Sequence, residues 1–384
     1  MPLFSANIPQ TEVIDRGLLS LHERLEASAQ LTGRGVVMAF IDSGYYRHPD
    51  LADRILVHAD ATTNHIIEEL QVMTMDDLSW HGQMTSVVAA GDGSESGGRF
   101  KGLASQSKLV LIKISSPRGQ VKESDILRGL RWLIDTHERF NVKVVNLSVG
   151  GDFVSNDPDH AIHRVIRKLV DAGVTVVAAA GNKSADAIVP PASSPGAITV
   201  GGYNDHNSID RSQWSGYHND YGWCFDGTPK PDVTAPAVWI PSPILPGSGV
   251  AREAYWLGPL LETESERALK RLLLRGYADL GLSREETLHP NEHLYGKLQS
   301  RINSHKLIDA KHQHVDGTSV SAAIVTSLVA QMLEANPRLT PDTIRAILMQ
   351  TALPLSDIST AQQGAGAIHA GNAVLAALNI GEQA

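Results

Sequence analysis

The chain has 384 residues, 42% of them hydrophobic, and its 42 acidic against 33 basic residues leave a formal charge of −9. This balance argues against a nucleic-acid-binding protein, which needs clustered Lys and Arg on a basic surface. The length and composition fit a soluble chain that buries a sizeable core. The longest uninterrupted apolar runs stay under ten residues, about half of what a bilayer-spanning helix requires. We therefore expect neither a nucleic-acid nor a membrane partner.

The N-terminus and the cysteine content predict an intracellular, cytoplasmic location. The opening stretch MPLFSANIPQTEVIDRG has neither the basic n-region nor the apolar h-region of a secretory signal peptide. Cys224 is the one cysteine, so it has no second thiol in the chain with which to form a disulfide. Because disulfides are typical of oxidising compartments, this composition favours a reducing one.

Most of the chain alternates β-like apolar runs with amphipathic helical segments, which is typical of a parallel sheet with crossover helices. The runs are rich in Val and Ile and show little alternation, as strands covered on both faces do. The predicted strands are Val36–Ile41, Leu109–Ile114, Val142–Leu147, Val174–Ala179 and Ala197–Val200. The sequence therefore predicts one α/β domain over residues 1–384, with a mostly parallel sheet covered by helices on both faces.

Capping residues mark three of the helices. Ser124 is predicted to cap a helix whose apolar residues share one face. Asp157-Pro158 is predicted to open a second helix, which Gly173 ends, and Thr340-Pro341 a third. Pro at the first helical position and Gly beyond the last one are the expected signals for such boundaries.

Two motifs carry side chains that can exchange protons. Asp42-Ser43-Gly44 follows the first predicted strand, so its carboxylate is expected at the carboxyl edge of the sheet, where open α/β sheets bind ligands. His81-Gly82 begins a short apolar helix, a position that suits a general base facing a cleft. Each string alone is common, because Asp-Ser-Gly also makes ordinary turns and the chain has 16 histidines.

Two further motifs offer hydrogen-bond donors and a hydroxyl. Gly181-Asn182 ends a buried apolar strand, where the amide either makes a turn or donates to an oxyanion. Gly317-Thr318-Ser319 leads into an apolar helix, Ile324–Leu333. The start of a helix has unpaired N–H groups and a dipole that favours negative charge, although Thr318 or Ser319 could equally be a plain N-cap.

The order Asp, His, Asn, Ser in these contexts resembles the subtilisin-like serine proteases, the subtilases of peptidase family S8. GRGVVMAFIDSGYYRHPDL resembles the family's first strand and turn, VVNLSVGG its substrate-pairing strand and VVAAAGN its oxyanion strand. KPDVTAPAVWIPS, NPRLTPDTIRAILMQTA and GAGAIHAGNAVLAA resemble its later strand and closing helices. The resemblance covers nearly the whole chain apart from residues 247–311 and implies a subtilisin-like fold.

The resemblance also implies a catalytic role for four residues. Ser319 would be the nucleophile, His81 the general base and then acid, and Asp42 the group that orients the imidazole, in the chain order of subtilisin. The Asn182 amide and the Ser319 N–H would form the oxyanion hole. We therefore expect an intracellular serine endopeptidase that hydrolyses peptide bonds through an acyl-enzyme. The alternatives are a subtilase-type macrocyclase that transfers the acyl group to an amine and an inactive binding module, which the four filled positions disfavour.

The substrate, a protein or peptide, is expected to bind by adding a β-strand to the protein. By the resemblance, the residues along its path are Ser148, Val149, Gly150, Gly119, Gln120, Gly181 and Lys183. Lys183 would lie at the rim of the primary specificity pocket, and Arg118 next to the facing edge strand. Unless screening by solvent cancels their charges, these two cations predict a preference for acidic substrate side chains.

No cofactor is required for this chemistry, and the sequence predicts no metal site. Calcium remains an option, because Asp50 in HPDL matches one ligand of the family's calcium sites, although the nearby loop GDGSESGG shows no clear partner. Five histidines in the last third lack the Cys or carboxylate spacing of a zinc site. We expect these to be solvated: His289, His293, His305, His312 and His314.

The segment from Gly247 to Lys311 interrupts the alternation of strands and helices. Its clearest stretch, ETESERALKRLLLRGYADLGL, is helical in pattern, and we interpret residues 247–311 as a helical insertion within the domain. Long insertions are often functional, so a protein regulator docking on it is one expectation and packing of the insertion alone is the other. The apolar residues that could serve either purpose are Leu269, Leu272, Leu273, Leu280 and the pair Tyr255-Trp256.

Overall fold

The computed structural model describes residue 4 and residues 17–69, 77–116, 119 and 121–380. Two compact units are present. The large unit comprises Leu18–Val238 and the chain from Asp316 onward, and the small unit is built on Trp239–Val315. Each is described below by itself.

A nine-stranded sheet organises the large unit, with the order β11-β7-β6-β5-β1-β4-β2-β3 and β8 added to β7. Its pairs are parallel except β2–β3 and β7–β8. A separate antiparallel pair joins β9 to β10. The strands are β1 Val37–Asp42, β2 Ile55–Asp60, β3 Ile67–Glu69, β4 Lys108–Lys113, β5 Val142–Leu147, β6 Thr175–Ala179, β7 Ile198–Asn204, β8 Ser215–Gly216, β9 Gly222–Trp223, β10 Pro229–Lys230 and β11 Val233–Pro236.

Helices cover both faces of this sheet, which confirms the predicted fold class. On β5, Val145 and Leu147 belong to the apolar cluster that α3 and α4 complete. Asn146 between them points the opposite way and accepts a hydrogen bond from Thr326 of α9 at 3.2 Å. The helices of the chain are α1 Leu21–Leu25, α2 Ser79–Ala90, α3 Glu123–Phe140, α4 Ala161–Asp171, α5 Gly249–Leu261, α6 Glu266–Gly276, α7 Arg284–Leu288, α8 Glu292–Ser304, α9 Thr318–Ala335, α10 Pro341–Thr351, α11 Thr360–Gln363 and α12 Ala370–Asn379.

Helix α9 is the central helix of the large unit. By length and composition alone it is apolar enough to cross a membrane, but 83% of it is buried inside the protein. It packs on β5, β6, β7 and β11 and against α2 and α12. Its apolar character is therefore explained by burial on all sides within the protein core.

All five predicted strands are present, as β1, β4, β5, β6 and β7, with ends within one residue of the prediction except at the end of β7. That strand runs four residues further, to Asn204. Strands β2 and β3 were not predicted. The reason is local: the apolar run of β2 is only three residues long before the polar His58 and Asp60, and β3 is exposed along its length.

The predicted helix starts are correct at one site and wrong at two. Thr340 caps α10 by accepting from Thr343 N–H at 3.2 Å. Helix α3 begins before Ser124, because the Asp125 carboxylate reaches back to the Lys122 N–H at 3.0 Å. Helix α4 begins only at Ala161.

The late start of α4 has a side-chain cause. The Asp157 Oδ1 accepts from the Asp159 N–H at 2.9 Å, which makes a separate turn ahead of the helix. Asx turns of this kind compete with helix formation. The far end agrees with the prediction, because Gly173 follows the last residues of α4 with a φ of +82°.

The small unit combines an antiparallel pair with four helices, α5–α8. The pair consists of β12 Ile240–Pro243 and β13 His312–Val315. The four helices lie inside the segment 247–311, as the helical pattern predicts, and the compact unit extends beyond both ends of that segment. Strand β12 ends shortly before this segment, and β13 begins directly after it.

The small unit has its own hydrophobic core. Three residues considered for a docking surface, Leu269, Leu273 and Leu280, are fully buried in this core, and Leu272 and Trp256 pack against it. Only Tyr255 of that set is well exposed, at 63%. Most of the apolar content is therefore explained by packing of the unit itself.

Two of the histidines expected to be solvated are buried. His312 and His314 are each 3% exposed, which corrects that prediction. They lie on β13, opposite Pro243 and Pro241 of β12. The Nδ1 of His312 lies 2.9 Å from Asp309 Oδ1, and His305 Nε2 lies 3.0 Å from Glu253 Oε2. These hydrogen bonds give the rings of His312 and His305 protein partners.

Candidate active site

Three predicted site residues stand at the ends of core elements of the large unit. Asp42 is the last residue of β1, His81 the third residue of α2 and Ser319 the second residue of α9. The close approach of α2 to the turn after β1 depends on Gly82. A Cβ there would lie 2.0 Å from the Gly44 carbonyl oxygen, so a larger residue would push the His81 helix away from the strand that carries Asp42.

The three side chains form a continuous hydrogen-bonded chain. His81 Nδ1 lies 2.7 Å from Asp42 Oδ1, and His81 Nε2 lies 3.2 Å from Ser319 Oγ. With the carboxylate accepting from Nδ1–H, the imidazole presents an unprotonated Nε2 to the hydroxyl, a tautomer assigned from this network. The arrangement can remove a proton from Ser319 Oγ.

Asp42 is fully buried, and neighbouring donors hold its carboxylate. The Ser43 N–H donates to Oδ1 at 2.6 Å, and Thr85 Oγ1 donates to Oδ2 at 3.1 Å. Thr85 lies one turn after His81 on α2, and sequence reasoning missed it. The spacing of four residues on one helix face was the available signal.

The electrostatics of His81 favour its protonated form. Burial of the ring lowers its pKa, but the charge of Asp42 and the hydrogen bond to that carboxylate outweigh burial. The net effect places the pKa of His81 above the ordinary value for histidine. The imidazolium that forms when Ser319 loses its proton is therefore stabilised.

The amide of Asn182 is oriented by the residue before Ser319. Its Oδ1 accepts from the Thr318 N–H at 2.9 Å and from Thr318 Oγ1 at 3.1 Å. The Gly181 N–H in turn lies 3.1 Å from Thr318 Oγ1. Because Oδ1 is occupied in this way, Nδ2 is the side of the amide that can donate to a ligand. The Ser319 N–H lies in the first turn of α9, where helical N–H groups have no partner within the helix.

A cavity of about 450 Å³ adjoins Ser319. It is lined by five of the predicted substrate-binding residues, Ser148, Val149, Gly150, Gly181 and Lys183. Ser148 Oγ donates to the Ser319 carbonyl oxygen at 3.2 Å and accepts from Asn146 Nδ2 at 2.9 Å. These bonds tie the segment after β5 to the start of α9, so one wall of the cavity is held next to the Ser319 hydroxyl.

The predicted edge of the binding groove is described only in part. Gly119 forms a bend with a φ of +80°, lies near Leu78 and is not part of the cavity wall. Gln120 and Arg118 lie outside the described residues. The pairing of substrate with this edge therefore stays a prediction.

The Asp50 carboxylate contacts the loop that follows α2. Its Oδ1 accepts from Ser94 Oγ at 2.9 Å and from the Glu95 N–H at 2.8 Å. Across the described ranges, no three His, Cys, Asp or Glu side chains come together as metal ligands. Asp50 Oδ1 therefore has partners within the protein, and calcium binding stays a prediction.

Cys224 is a buried free cysteine. Burial raises the pKa of its thiol to about 11. A thiol with this pKa is protonated at neutral pH and is a poor nucleophile. Cys224 is therefore not a candidate nucleophile.

Comparison with known proteins agrees with this geometry. The model of the subtilase family matches residues 33–367. The serine protease AprX of Bacillus subtilis strain 168 is 29% identical over 355 residues, which are 90% of this chain and 67% of AprX. Subtilisin of Bacillus pumilus is 32% identical over 221 residues, 56% of this chain and 69% of that protein.

Solved structures show the same fold. Fervidolysin from Fervidobacterium pennivorans, a keratinolytic enzyme related to subtilisin, superposes with a TM-score of 0.60 at 20% identity and covers 92% of this chain and 45% of its own. A mutant of the protease domain of PatA gives a TM-score of 0.60 at 18% identity. The match covers 91% of this chain and 98% of the PatA chain. The family match extends over most of the chain, including all the elements that carry the site. The chain belongs to the subtilase family of serine-type endopeptidases.

Proposed function

We propose that this subtilase is an intracellular enzyme that hydrolyses peptide bonds through an acyl-enzyme on Ser319, with Asp42, His81 and Ser319 as its catalytic triad. The observation that carries the proposal is the hydrogen-bonded chain from Asp42 Oδ1 through both ring nitrogens of His81 to Ser319 Oγ. Its serine end adjoins a cavity large enough for a substrate side chain.

The chemistry follows from this order of groups. Ser319 Oγ attacks the carbonyl carbon of the scissile bond while His81 Nε2 takes its proton, and the Asp42 carboxylate stabilises the imidazolium. The carbonyl oxygen becomes negatively charged and accepts hydrogen bonds from Asn182 Nδ2 and the Ser319 N–H.

His81 then donates its proton to the leaving amine, which departs and leaves the acyl group on Ser319. Water loses a proton to His81 and attacks the ester, and the carboxylic acid product is released as Ser319 recovers its proton. The substrate backbone runs along Ser148–Gly150 as an added strand. This segment of the protein lines one wall of the cavity.

A fluorophosphonate probe tests the nucleophile. It should label the wild-type chain on Ser319 and leave Ser319→Ala unlabelled. Substituting Ala for Ser319, His81 or Asp42 should each nearly abolish peptide hydrolysis, and the losses should not add because the three side chains act as one unit. Near-wild-type turnover by purified Ser319→Ala would contradict the mechanism. Product masses distinguish hydrolysis from transfer to an amine, the macrocyclase alternative.

The intracellular location is supported by the buried, unpaired Cys224. Fractionation of the native host with an antibody against this chain tests it. Recovery in the cytoplasmic fraction is expected, and recovery in the culture medium would contradict the proposal.

The small unit is the proposed docking site for a protein regulator, a role that a protease acting inside cells requires because unrestrained proteolysis is harmful. Its exposed apolar side chains, Tyr255 at 63%, Leu288 at 49% and Leu274 at 38%, support this reading. The buried Leu269 and Leu273 support the alternative that the unit's apolar residues only stabilise its own core.

A further inference from the structure

A carboxylate that the sequence did not single out lines the cavity beside Ser319. Asp220 faces this cavity together with the segments Ser148–Gly150 and Gly181–Lys183. It is only 8% exposed. Burial of a charged group is costly unless partners compensate for the lost water, so the contacts of each carboxylate oxygen determine what Asp220 can do.

The backbone holds one of the two oxygens. Asp220 Oδ1 accepts from the Lys183 N–H at 2.8 Å and from the Ala185 N–H at 2.9 Å. The Asp220 N–H donates to the Gly181 carbonyl oxygen at 3.1 Å. Together these bonds fix the orientation of the carboxylate next to the residue that precedes Asn182.

The other oxygen remains available. Asp220 Oδ2 lies beside Gly181, where an added Cβ would come within 2.1 Å of it. Among the residues that the structure describes, none donates a hydrogen bond to Oδ2. Oδ2 is absent from the fully buried side-chain polar atoms that lack a partner, so it is accessible to solvent. Oδ2 can therefore accept from a ligand in the cavity.

The charges around the cavity favour a cation. Its described lining carries two carboxylates, Asp152 and Asp220, and one ammonium, that of Lys183. Lys183 contacts Asp220 through its backbone N–H, and the described ion pairs do not include its ammonium group. The carboxylate of Asp220 is thus not neutralised by the Lys183 ammonium in the same cavity.

We propose that Asp220 gives this peptidase a primary specificity for Lys or Arg, by accepting a hydrogen bond from the cationic end of the substrate side chain on the acyl side of the scissile bond. This rests on the proposed function, because it assumes that the cavity beside Ser319 receives that side chain. The aliphatic stem would contact Val149, Ala187 and Val189 in the same cavity. The proposal replaces the sequence-based expectation of acidic substrates, which counted Lys183 and Arg118 but not Asp220.

Binding without turnover provides the first test. In the Ser319→Ala protein, binding of the fluorescent cation p-aminobenzamidine is measured with Asp220 present and with Asp220→Asn. Asn keeps an oxygen that can accept from the two backbone N–H groups, and thermal melting checks that the fold is kept. The Asp220→Asn change should weaken binding about 10- to 100-fold, since hydrogen bonds to charged groups are among the stronger ones. Asp171→Asn, which removes an exposed carboxylate at the end of α4, is the matched control and should leave binding unchanged.

Turnover provides the second test, with peptides that differ only in having Lys, norleucine or Glu before the scissile bond. Wild type should prefer Lys, and Asp220→Asn should lower kcat/KM for Lys about 10- to 100-fold while leaving norleucine nearly unchanged. A preference for Glu, or equal losses for Lys and norleucine, would overturn the proposal. Probe labelling of Ser319 without a preference for Lys would refute this inference and leave the triad proposal intact. If Ser319 fails to label, the triad proposal fails, and the amidinium binding still decides the role of Asp220.

Discussion

Thr85 Oγ1 lies 3.1 Å from Asp42 Oδ2, whereas His81 contacts the other oxygen of the same carboxylate, Oδ1. The same hydroxyl is 3.2 Å from the Gly82 carbonyl oxygen. It has a single proton, and the charged carboxylate is the better acceptor. Thr85 therefore acts through Asp42 and fixes the plane in which the imidazole is held.

We expect Thr85→Val to lower kcat about 10- to 100-fold with little change in KM, because a hydrogen bond to a charged group contributes about 1.5–3 kcal/mol. Thr85→Ser should restore most of the activity. Ser86→Ala removes the adjacent buried hydroxyl, which contacts Gly82 O and Gln83 O and not Asp42, and should have a much smaller effect. If Thr85→Val raised KM and left kcat unchanged, a positioning role would be contradicted.

The pKa of His81, raised by Asp42 against the effect of burial, predicts the acid limb of the pH profile. The base must be unprotonated, so kcat/KM should rise with pH through a midpoint above the ordinary histidine value of about 6.5. In a Ser319→Ala background, NMR titration of His81 should show that Asp42→Asn shifts its pKa downward, since the charge that raises it is removed and burial continues to lower it. An unchanged midpoint in Asp42→Asn would contradict this account.

The sign of the stability effect follows from the same shift. A group whose pKa is higher in the folded state stabilises the fold most when it is protonated. The contribution of His81 should therefore be fully present below its unfolded-state pKa and be lost as the pH rises through its folded-state pKa. Denaturant unfolding of Ser319→Ala with and without His81→Ala, across this range of pH, measures it.

Asn182→Ala should reduce kcat with little change in KM, because the amide donates to charge that develops only after attack. The expected loss is the one known for the oxyanion asparagine of subtilisin, a member of this family, about 10²–10³-fold. Probe labelling should be slowed but still directed to Ser319. An increase in KM with kcat unchanged would indicate a role in substrate binding.

Gly181→Ala should destabilise the protein and reduce activity, since its φ of +111° disfavours other residues and its new Cβ would lie 2.1 Å from Asp220 Oδ2. Strained backbone of this kind costs about 1–3 kcal/mol, and the clash adds to it. Gly173→Ala is the matched control, because its φ of +82° is similarly unfavourable while no atom lies within 4 Å of the added Cβ. Asp220→Ala should partly restore the stability of Gly181→Ala in the double variant. Equal losses of free energy of unfolding in Gly181→Ala and Gly173→Ala would show that the clash contributes nothing.

The four helices of the small unit can be removed at a place the structure defines. Strands β12 and β13 pair across the ends of the segment 247–311, so a short Gly/Ser linker replacing this segment closes a β-hairpin. The large unit should keep its fold and the labelling of Ser319, and hydrolysis of a small chromogenic peptide should change little.

If a regulator or protein substrate docks on the small unit, cleavage of whole proteins should change much more than peptide hydrolysis in this variant. Tyr255→Ser in the full chain tests the exposed surface without disturbing the core. Equal effects on both kinds of substrate, or no effect on either in cell extract, would leave the small unit with a structural role only.

The sequence determined most of the strands and helices, including those that carry the site residues at their ends. Strands buried on both faces require apolar runs, so β1, β4, β5, β6 and β7 could be read from local composition. Capping by Thr340 is a local interaction and was also predictable. Asp42, His81, Asn182 and Ser319 could be named because the order and contexts of their motifs resemble the subtilases, although each motif alone is common.

Tertiary structure decided what those residues contact. Asp220 lies 37 positions from Lys183 yet accepts its N–H, and no periodicity relates the two. Leu269 and Leu273 face the core of the small unit, although their helical pattern alone was equally compatible with a docking face. The physical reason is the same in each case: local patterns specify helices and strands, whereas the direction of a buried charge or an apolar face depends on which distant element packs against it.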